Sequence, residues 1–305
     1  MRILFAMPHY FREESDQAHN RSRQPRARAE RRRSLVAAIA ALHQAFGNRI
    51  YGLDHQGAAA WQAAPSVRHD IDIVVCTAGE DHLLGELPWL TPFYRQHAAA
   101  VEPAMLGFEC HRLLGEAIGH YDYYGYIEDD IAVIDPLFFR KRRLFDRQFG
   151  PEALLQPNRC EVRPDGPVQK LYVDYHLRPE LTAPHQDVTD RPRLQMPFID
   201  ETIQLERTSY PSAGCFFLSD AQVRMWTEGP HFRDGDVSYM GPLDSAATLS
   251  VMKTFRIYKP VLDQAWFLEV LHLSPRWING GEVRLMPRDE PFSPIPRRTV
   301  CRDRR

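Results

Sequence analysis

A chain of 305 residues that is 44% hydrophobic and 26% charged can bury a full core, as one large α/β domain or two smaller ones. Its 38 Lys and Arg against 40 Asp and Glu leave a net charge of −2, so the molecule as a whole offers no electrostatic case for nucleic acid. The local basic run Arg21, Arg23, Arg26, Arg28, Arg31, Arg32 and Arg33 could meet an anionic membrane surface or a phosphate; a solvated loop leading into the polar face of a helix explains it more simply.

Taken in order, RILFAMPH reads as a first buried strand. The arginine-rich stretch follows, and then SLVAAIAALHQAFG, whose apolar spacing and closing Gly47 suit a helix. NRIYGLD and DIDIVVCTAG are two further strands, the second a continuous apolar run of the kind buried in parallel sheets. PAMLGFECHRLLGEAIGHY predicts a helix that leads into the strand YDYYGYI. Strands alternating with helices over residues 1–150 imply a mainly parallel sheet with right-handed crossovers. DPLFFRKRRLFDRQFG predicts a helix with Asp135 as N-cap, Pro136 at its first position and Gly150 as its stop. ALLQPNRCEV and VQKLYVDYHL are strands. The Pro-rich segment from His176 to Tyr210 lacks periodicity and reads as a functional loop on the acceptor side. PSAGCFFLSDAQVRMW predicts a turn, a buried strand and a helix capped by Ser219 or Asp220. GPLDSAATLSVMKTF is another helix, RIYKPVL and WFLEVLHLSPRW are apolar strands, and residues 276–305 form a tail.

Cys76, Cys110, Cys160, Cys215 and Cys301 are scattered and form no CxxC pair, which favours a reducing compartment. The opening residues carry too short an apolar run for a signal peptide, and nothing approaches the ~20 apolar residues of a bilayer span. The expected location is cytoplasmic, with peripheral membrane contact open.

The densest chemistry is the run Glu128-Asp129-Asp130, which closes a tyrosine-rich strand. Ligand crevices of α/β proteins lie at such strand ends, and Glu128 and Asp130 fall on one side of an extended chain. Adjacent carboxylates raise one another's pKa unless a cation neutralises them, so Mg²⁺ or Mn²⁺ is the natural partner; solvated strand-end carboxylates are the plainer alternative.

Four features in this order resemble the layout of GT-A-type glycosyltransferases over residues 1–275. Glu128-Asp129-Asp130 occupies the place of that fold's Asp-x-Asp metal motif and is similar to the Glu-Asp-Asp variant of the animal N-acetylglucosaminyltransferase I family. Ser212-Ala213-Gly214 before CFFLSD is similar to the donor-side glycine loop. Leu243-Asp244 stands where the family has an acidic pair containing the catalytic base, with Leu243 replacing one acid; Asp244 could equally be an N-cap, and Asp234 and Asp236 are substitutes for the base. His272 is similar to a C-terminal histidine that returns to the metal or the diphosphate.

The resemblance implies a Rossmann-related α/β domain with a mainly parallel central sheet flanked by helices. Residues 1–150 would form the nucleotide-binding half and 151–275 the acceptor and catalytic half. It further implies that Asp130 and His272 hold Mn²⁺ or Mg²⁺, while Glu128 and Asp129 reach ribose or metal-bound water. Gly214 and Arg112 would approach the diphosphate or nucleotide, and His9 with Tyr10 and Phe11 would face the nucleobase, with Glu80 and Asp81 nearby. Asp244 would deprotonate the acceptor hydroxyl of a sugar, lipid or protein, giving inversion. The competing classes are a metal-dependent hydrolase, which lacks an HxH or HExxH motif here, and a non-catalytic binding protein of the same fold. An oxidoreductase is disfavoured, because no GxGxxG follows the first strand.

Overall fold

The computed structural model describes residues 1–13, 24, 26–63, 69–166 and 168–279. Arg21, Arg23, Cys301 and the tail from residue 280 onward lie outside the described residues. The protein is an α/β fold whose central sheet has five strands: β1 (Arg2–Pro8), β4 (Asp70–Ala78), β5 (Arg95–Ala99), β6 (Tyr123–Ile127) and β13 (Cys215–Ser219). They lie in the order β13-β6-β1-β4-β5. The first four run parallel, and β13 joins β6 antiparallel at one edge.

Period-two alternation divides the core. Ile3, Phe5 and Met7 of β1, Tyr123 and Ile127 of β6, and Cys215 and Phe217 of β13 pack with Leu35, Ile39 and Leu42 of α1 (Ala27–Phe46) and Phe138, Phe139 and Phe145 of α3 (Phe138–Phe149). Leu4 and Ala6, Tyr124 and Tyr126, and Phe216 and Leu218 face the other way. They meet Leu114 of α2 (Leu106–Glu116), Trp226 of α4 (Asp220–Glu228) and Met252 of α6 (Ser250–Thr254). Sheet residues that are apolar on both faces therefore explain the continuous hydrophobic runs of β1, β4, β6 and β13.

The second half of the chain adds two smaller sheets. β9 (Asn158–Val162) is flanked by β10 (Lys170–Tyr172) and β15 (Glu269–His272), and β15 pairs in turn with β7 (Ile131–Ala132). β11 (Arg193–Phe198), β12 (Glu201–Glu206), β14 (Arg256–Pro260) and β8 (Ala153–Leu155) make the other. The expected helix cap at Ser219 is present, with Gln222 completing a reciprocal capping box. Gly150 ends α3 at φ +76° as expected, but the helix starts two residues later than expected: Leu137, not Asp135, is its N-cap, and Asp135 accepts from the Leu137 N–H at 2.8 Å in the turn before it.

Three further sequence expectations need correction, and one strand was not foreseen. The first helix begins at Ala27, so the arginines from Arg28 to Arg33 form its first two turns. NRIYGLD supplies a strand, β2 (Tyr51–Asp54), but it pairs only with β3 (Ala59–Gln62) in an exposed hairpin, and its Tyr51 and Leu53 stay exposed. The 176–210 segment contains the β11–β12 hairpin, in which Met196, Ile203 and Leu205 point inward and Pro197 sits on an edge strand. β5 escaped notice because its RQHAA sequence is mostly exposed. The four described cysteines are free and buried, and no helix among the described residues is long and apolar enough to cross a membrane.

Gly125 sets the spacing of β6 against its neighbours. A Cβ there would lie 2.7 Å and 2.9 Å from Phe217 ring atoms and 3.2 Å from the Phe5 ring. Both rings are fully buried, so neither can swing away freely. Gly125→Ala is expected to destabilise the fold by about 1–3 kcal/mol, read as a lower urea midpoint at unchanged m-value.

Candidate functional site

The order of the central sheet reverses beside β1: the chain leaves β1 for β4 and β5 on one side, then returns to place β6 on the other. Ligand crevices open at this kind of switch point, beyond the strands' C-terminal ends. His9 follows β1, the acidic run follows β6, and the two meet there. His9 Nδ1 lies 2.5 Å from Asp129 Oδ2, while the Leu83 N–H donates to Nε2 at 3.1 Å. An Nε2 that accepts leaves the proton on Nδ1, so His9 donates to Asp129.

The chain turns at the acids, with the Ile131 N–H returning to the Glu128 carbonyl at 3.1 Å, so strand alternation no longer governs where they point. All three are buried: Glu128 is 8%, Asp129 2% and Asp130 9% exposed. Arg31 of α1 reaches both aspartates, its Nη1 lying 3.1 Å from Asp129 Oδ1 and 3.5 Å from Asp130 Oδ2. His272 approaches from the other side, Nε2 being 3.5 Å from Asp130 Oδ2. The pairing of β7 with β15 fixes that approach by setting Ile131 opposite His272, and the Leu273 N–H donates to the Asp130 carbonyl at 2.7 Å.

Glu161 of β9 supports His272 from behind. This fully buried carboxylate takes His272 Nδ1 at 2.8 Å and the backbone N–H groups of Arg276, Trp277 and Ile278 at 3.1, 2.9 and 2.7 Å. Burial opposes its charge, but these donors hold its pKa below the usual carboxylate range. His272 is likewise penalised by burial, yet Asp130 and Glu161 raise it to about 9. Asp130 is shifted well down despite its burial, by His272 first and then by Arg31 and Arg159.

Glu128 is the exception. Among the described residues nothing hydrogen-bonds its side chain, and burial, with the charges of Asp130 and Asp244, pushes it up to about 8. Its backbone N–H donates to the Gly214 carbonyl at 2.9 Å, and Gly214 adopts φ +65°. A Cβ at Gly214 would stand 3.0 Å from Glu128 Oε2, so only glycine leaves this carboxylate its space. Lys259, buried and lowered to about 8 by desolvation, donates to the Ser212 carbonyl at 2.5 Å and pins the same turn.

Asp244 lies close enough for its charge to act on Glu128, on the buried Tyr126 and on the half-buried Tyr210. It is the third residue of α5 (Pro242–Asp244), which Gly241 caps, so the N-cap alternative is not what forms. A π-helical turn, Ser245–Leu249, follows and is entirely buried. Gly107 of α2 admits it, since a Cβ there would come within 2.3 Å of Ala246 Cβ. His111 Nε2 donates to the Ala246 carbonyl at 2.9 Å, and burial lowers this imidazole to about 4.

The site therefore gathers His9, Glu128, Asp129, Asp130, Gly214, Asp244 and His272. Two expectations change. His9 is fully buried with both ring nitrogens in use, so it braces Asp129 and presents no face for a nucleobase. Arg112, expected at the nucleotide or phosphate, is taken up by Glu109 at 2.7 Å and by Glu116, beside His97. Asp234 and Asp236 share Lys253 Nζ at 3.1 and 2.6 Å, which neutralises these substitute bases.

Sequence reasoning missed Arg31 as an individual, Glu161, and the bidentate pair of Arg159 with Asp174 at 2.9 and 2.8 Å, whose guanidinium charge acts on Glu128 and Asp130. Arg31 had a signal: it stands four residues before Leu35 and seven before Ala38, on the buried stripe of α1. Among the described residues no three His, Cys, Asp or Glu side chains are arranged as a metal cage; Arg31 and His272 supply the positive charge instead.

No protein-family model matches the sequence, and no curated protein matches it. Among solved structures the chain is similar to TarS of S. aureus, with a TM-score of 0.43 and 11% identity over 85% of this chain and 35% of that one. TarS 1-349 in complex with UDP gives 0.41 and 8%, covering 85% and 57%. The same protein in complex with UDP-GlcNAc gives 0.37 and 10%, covering 85% and 56%. The chain thus spans between 35% and 57% of the length of these three structures. The likeness is distant, and what the chain does has to be read from the site itself.

Protonation ties this site to stability. His272, raised from 6.5 to about 9, contributes fully below pH 6.5 and loses its contribution as pH passes 9. Glu128, raised from 4.5 to about 8, becomes unfavourable from pH 4.5 upward and reaches its full cost as pH passes 8. Metal-free protein is therefore expected to lose stability steadily from pH 5 to pH 9 in urea titrations, and His272→Gln should flatten the alkaline part of that slope.

Proposed function

We propose that this protein is a metal-dependent glycosyltransferase of GT-A type that moves a sugar from a nucleoside diphosphate donor to an acceptor hydroxyl. One observation supports this most: three buried carboxylates at a strand-order reversal, with His272 brought back onto Asp130. So many acids withheld from water call for a cation, through which a polyanion could then be held, and strand-end crevices are where α/β proteins bind nucleotides.

The described residues offer a divalent ion less than a full cage, which suits a Mg²⁺ or Mn²⁺ that would complete its shell with water and phosphate oxygens. Glu128 is a nearly enclosed carboxyl without a hydrogen-bond partner among the described residues, and Glu161 fixes His272 through Nδ1 so that Nε2 faces Asp130. In this reading Asp130 and His272 hold Mn²⁺ or Mg²⁺, with Glu128 and Asp129 directed to metal-bound water or ribose. Bound there, the ion would counter the negative charge that develops on the leaving diphosphate.

The remaining chemistry belongs to the chain. Gly214 lets backbone approach the diphosphate without a Cβ in the way. Asp244 takes the proton of the acceptor hydroxyl as its oxygen bonds to the anomeric carbon and the bond from that carbon to the diphosphate breaks, with inversion. The π-helical turn behind Asp244, anchored by His111, holds the carboxylate in place. The acceptor, a sugar, lipid or protein, enters beside residues 176–210, where Tyr210 lies within reach of the charges of Asp174, Asp244 and Glu128.

Calorimetry with UDP and GDP is expected to show binding only when Mn²⁺ or Mg²⁺ is present, and Asp130→Asn should abolish it; no binding of either nucleotide with metal added would sink the reading. Asp244→Asn is expected to lower turnover ~10²- to 10⁴-fold while nucleotide affinity holds. Donor hydrolysis at an undiminished rate without any acceptor would instead favour a hydrolase.

A further inference from the structure

We infer that Arg31 is a built-in counter-cation, which competes with the divalent ion for Asp129 and Asp130 and passes to the donor's diphosphate once the ion is seated. The inference rests on the transferase reading above and specifies how its metal site is regulated.

The first turns of α1 carry Arg28, Arg31, Arg32 and Arg33, and they are used differently. Arg28 pairs with Glu13 and Glu86, Arg32 pairs with Glu86, and Arg33 is exposed. Arg31 lies on the stripe of Leu35, Ala38 and Leu42 and turns inward. One nitrogen, Nη1, straddles two carboxylates from different residues.

The two contacts differ in what they hold. Asp129 is already fixed from its other oxygen by His9 at 2.5 Å, so its position does not require Arg31. Asp130 Oδ2 has Arg31 and His272 each at 3.5 Å, longer than a good charge-assisted hydrogen bond. The guanidinium neutralises Asp130 without gripping it. Mg²⁺ binds oxygen at about 2.0–2.1 Å and could not share that atom with a neighbouring guanidinium without strong repulsion. Seating the ion therefore displaces Arg31. A guanidinium released at the rim of this crevice has a planar fork that matches phosphate oxygens, and the donor brings two phosphates to the same place.

Competition followed by transfer makes opposite demands on one side chain. Arg31→Gln should bind Mn²⁺ alone on the order of 10-fold more tightly, measured by the electron paramagnetic resonance of free Mn²⁺, because one charge-assisted contact no longer has to be broken. At saturating Mn²⁺ the same variant should bind whichever of UDP and GDP the wild type prefers on the order of 10-fold more weakly by calorimetry. Arg31→Lys keeps the charge but not the fork; it should stay near wild type for Mn²⁺ and fall with Gln for nucleotide. Urea midpoints verify folding; if the Gln variant does not fold, Arg31→Met carries the Mn²⁺ arm and the Lys variant carries the nucleotide arm. Unchanged or weaker Mn²⁺ binding by folded Arg31→Gln, with normal binding by wild type, overturns the competition and leaves the transferase reading standing. Unchanged nucleotide affinity in both variants overturns the transfer to diphosphate. Absence of Mn²⁺ binding in wild type and variants alike overturns both the inference and the metal reading beneath it.

Discussion

Three consecutive carboxylates removed from water at the end of a wholly buried strand are the constraint around which this fold is arranged. An unpaired buried charge is far more expensive than any single packing defect, so each acid has to be paired or protonated. The chain meets that demand with parts from distant segments: His9 after β1 for Asp129, Arg31 of α1 for Asp129 and Asp130, and His272 of β15 for Asp130. Glu128, lacking such a partner among the described residues, stays protonated near neutrality. The first turns of α1, the β7–β15 pairing and the Gly214 turn are held where they are partly by these contacts.

Behind the acids lies a second layer whose members touch the site only through others. Glu161 keeps one proton on His272 Nδ1 and gathers the amides of residues 276–278, so the orientation of the imidazole and the path of the chain after β15 depend on one carboxylate. On the far face, a glycine in α2 and an imidazole that accepts no proton at neutral pH accommodate the π-helical turn after Asp244. Rigid supports of this kind are what a site needs if charges are to be held ready before a ligand arrives.

The parts of the fold legible in the sequence were those whose signal is local. β1, β4, β6 and β13 carry apolar runs that no helix or loop explains, and Ser219 and Gly150 mark helix boundaries through their own backbone chemistry. β5 and the β2–β3 hairpin were hidden or misplaced because their residues are mostly exposed, so no buried apolar face marks where they lie. At the site, Glu128-Asp129-Asp130 announced itself by composition. Arg159 and Glu161 did not, because flanking a buried cysteine in a strand makes two charges read as an outward face. Here β9 lies between β10 and β15, and Arg159 and Glu161 are themselves largely removed from water.

His9 shows most clearly why residue type alone misleads. A histidine just past a strand end, followed by two aromatics, has the look of a ligand-stacking group, and its distance along the chain from Asp129 conceals the connection. Parallel pairing of β1 with β6 brings the two together by register: Ala6 lies opposite Tyr126, so three residues beyond each, His9 and Asp129, are level. Once level, a neutral imidazole with one nitrogen filled by the Leu83 amide has a single proton to offer, and the buried aspartate takes it. That contact leaves Asp129 with one oxygen, already facing Arg31, while Asp130 and Glu128 keep the more adaptable surroundings. Within the acidic run, the middle residue is thereby the one most firmly held in place, fixed from both of its oxygens.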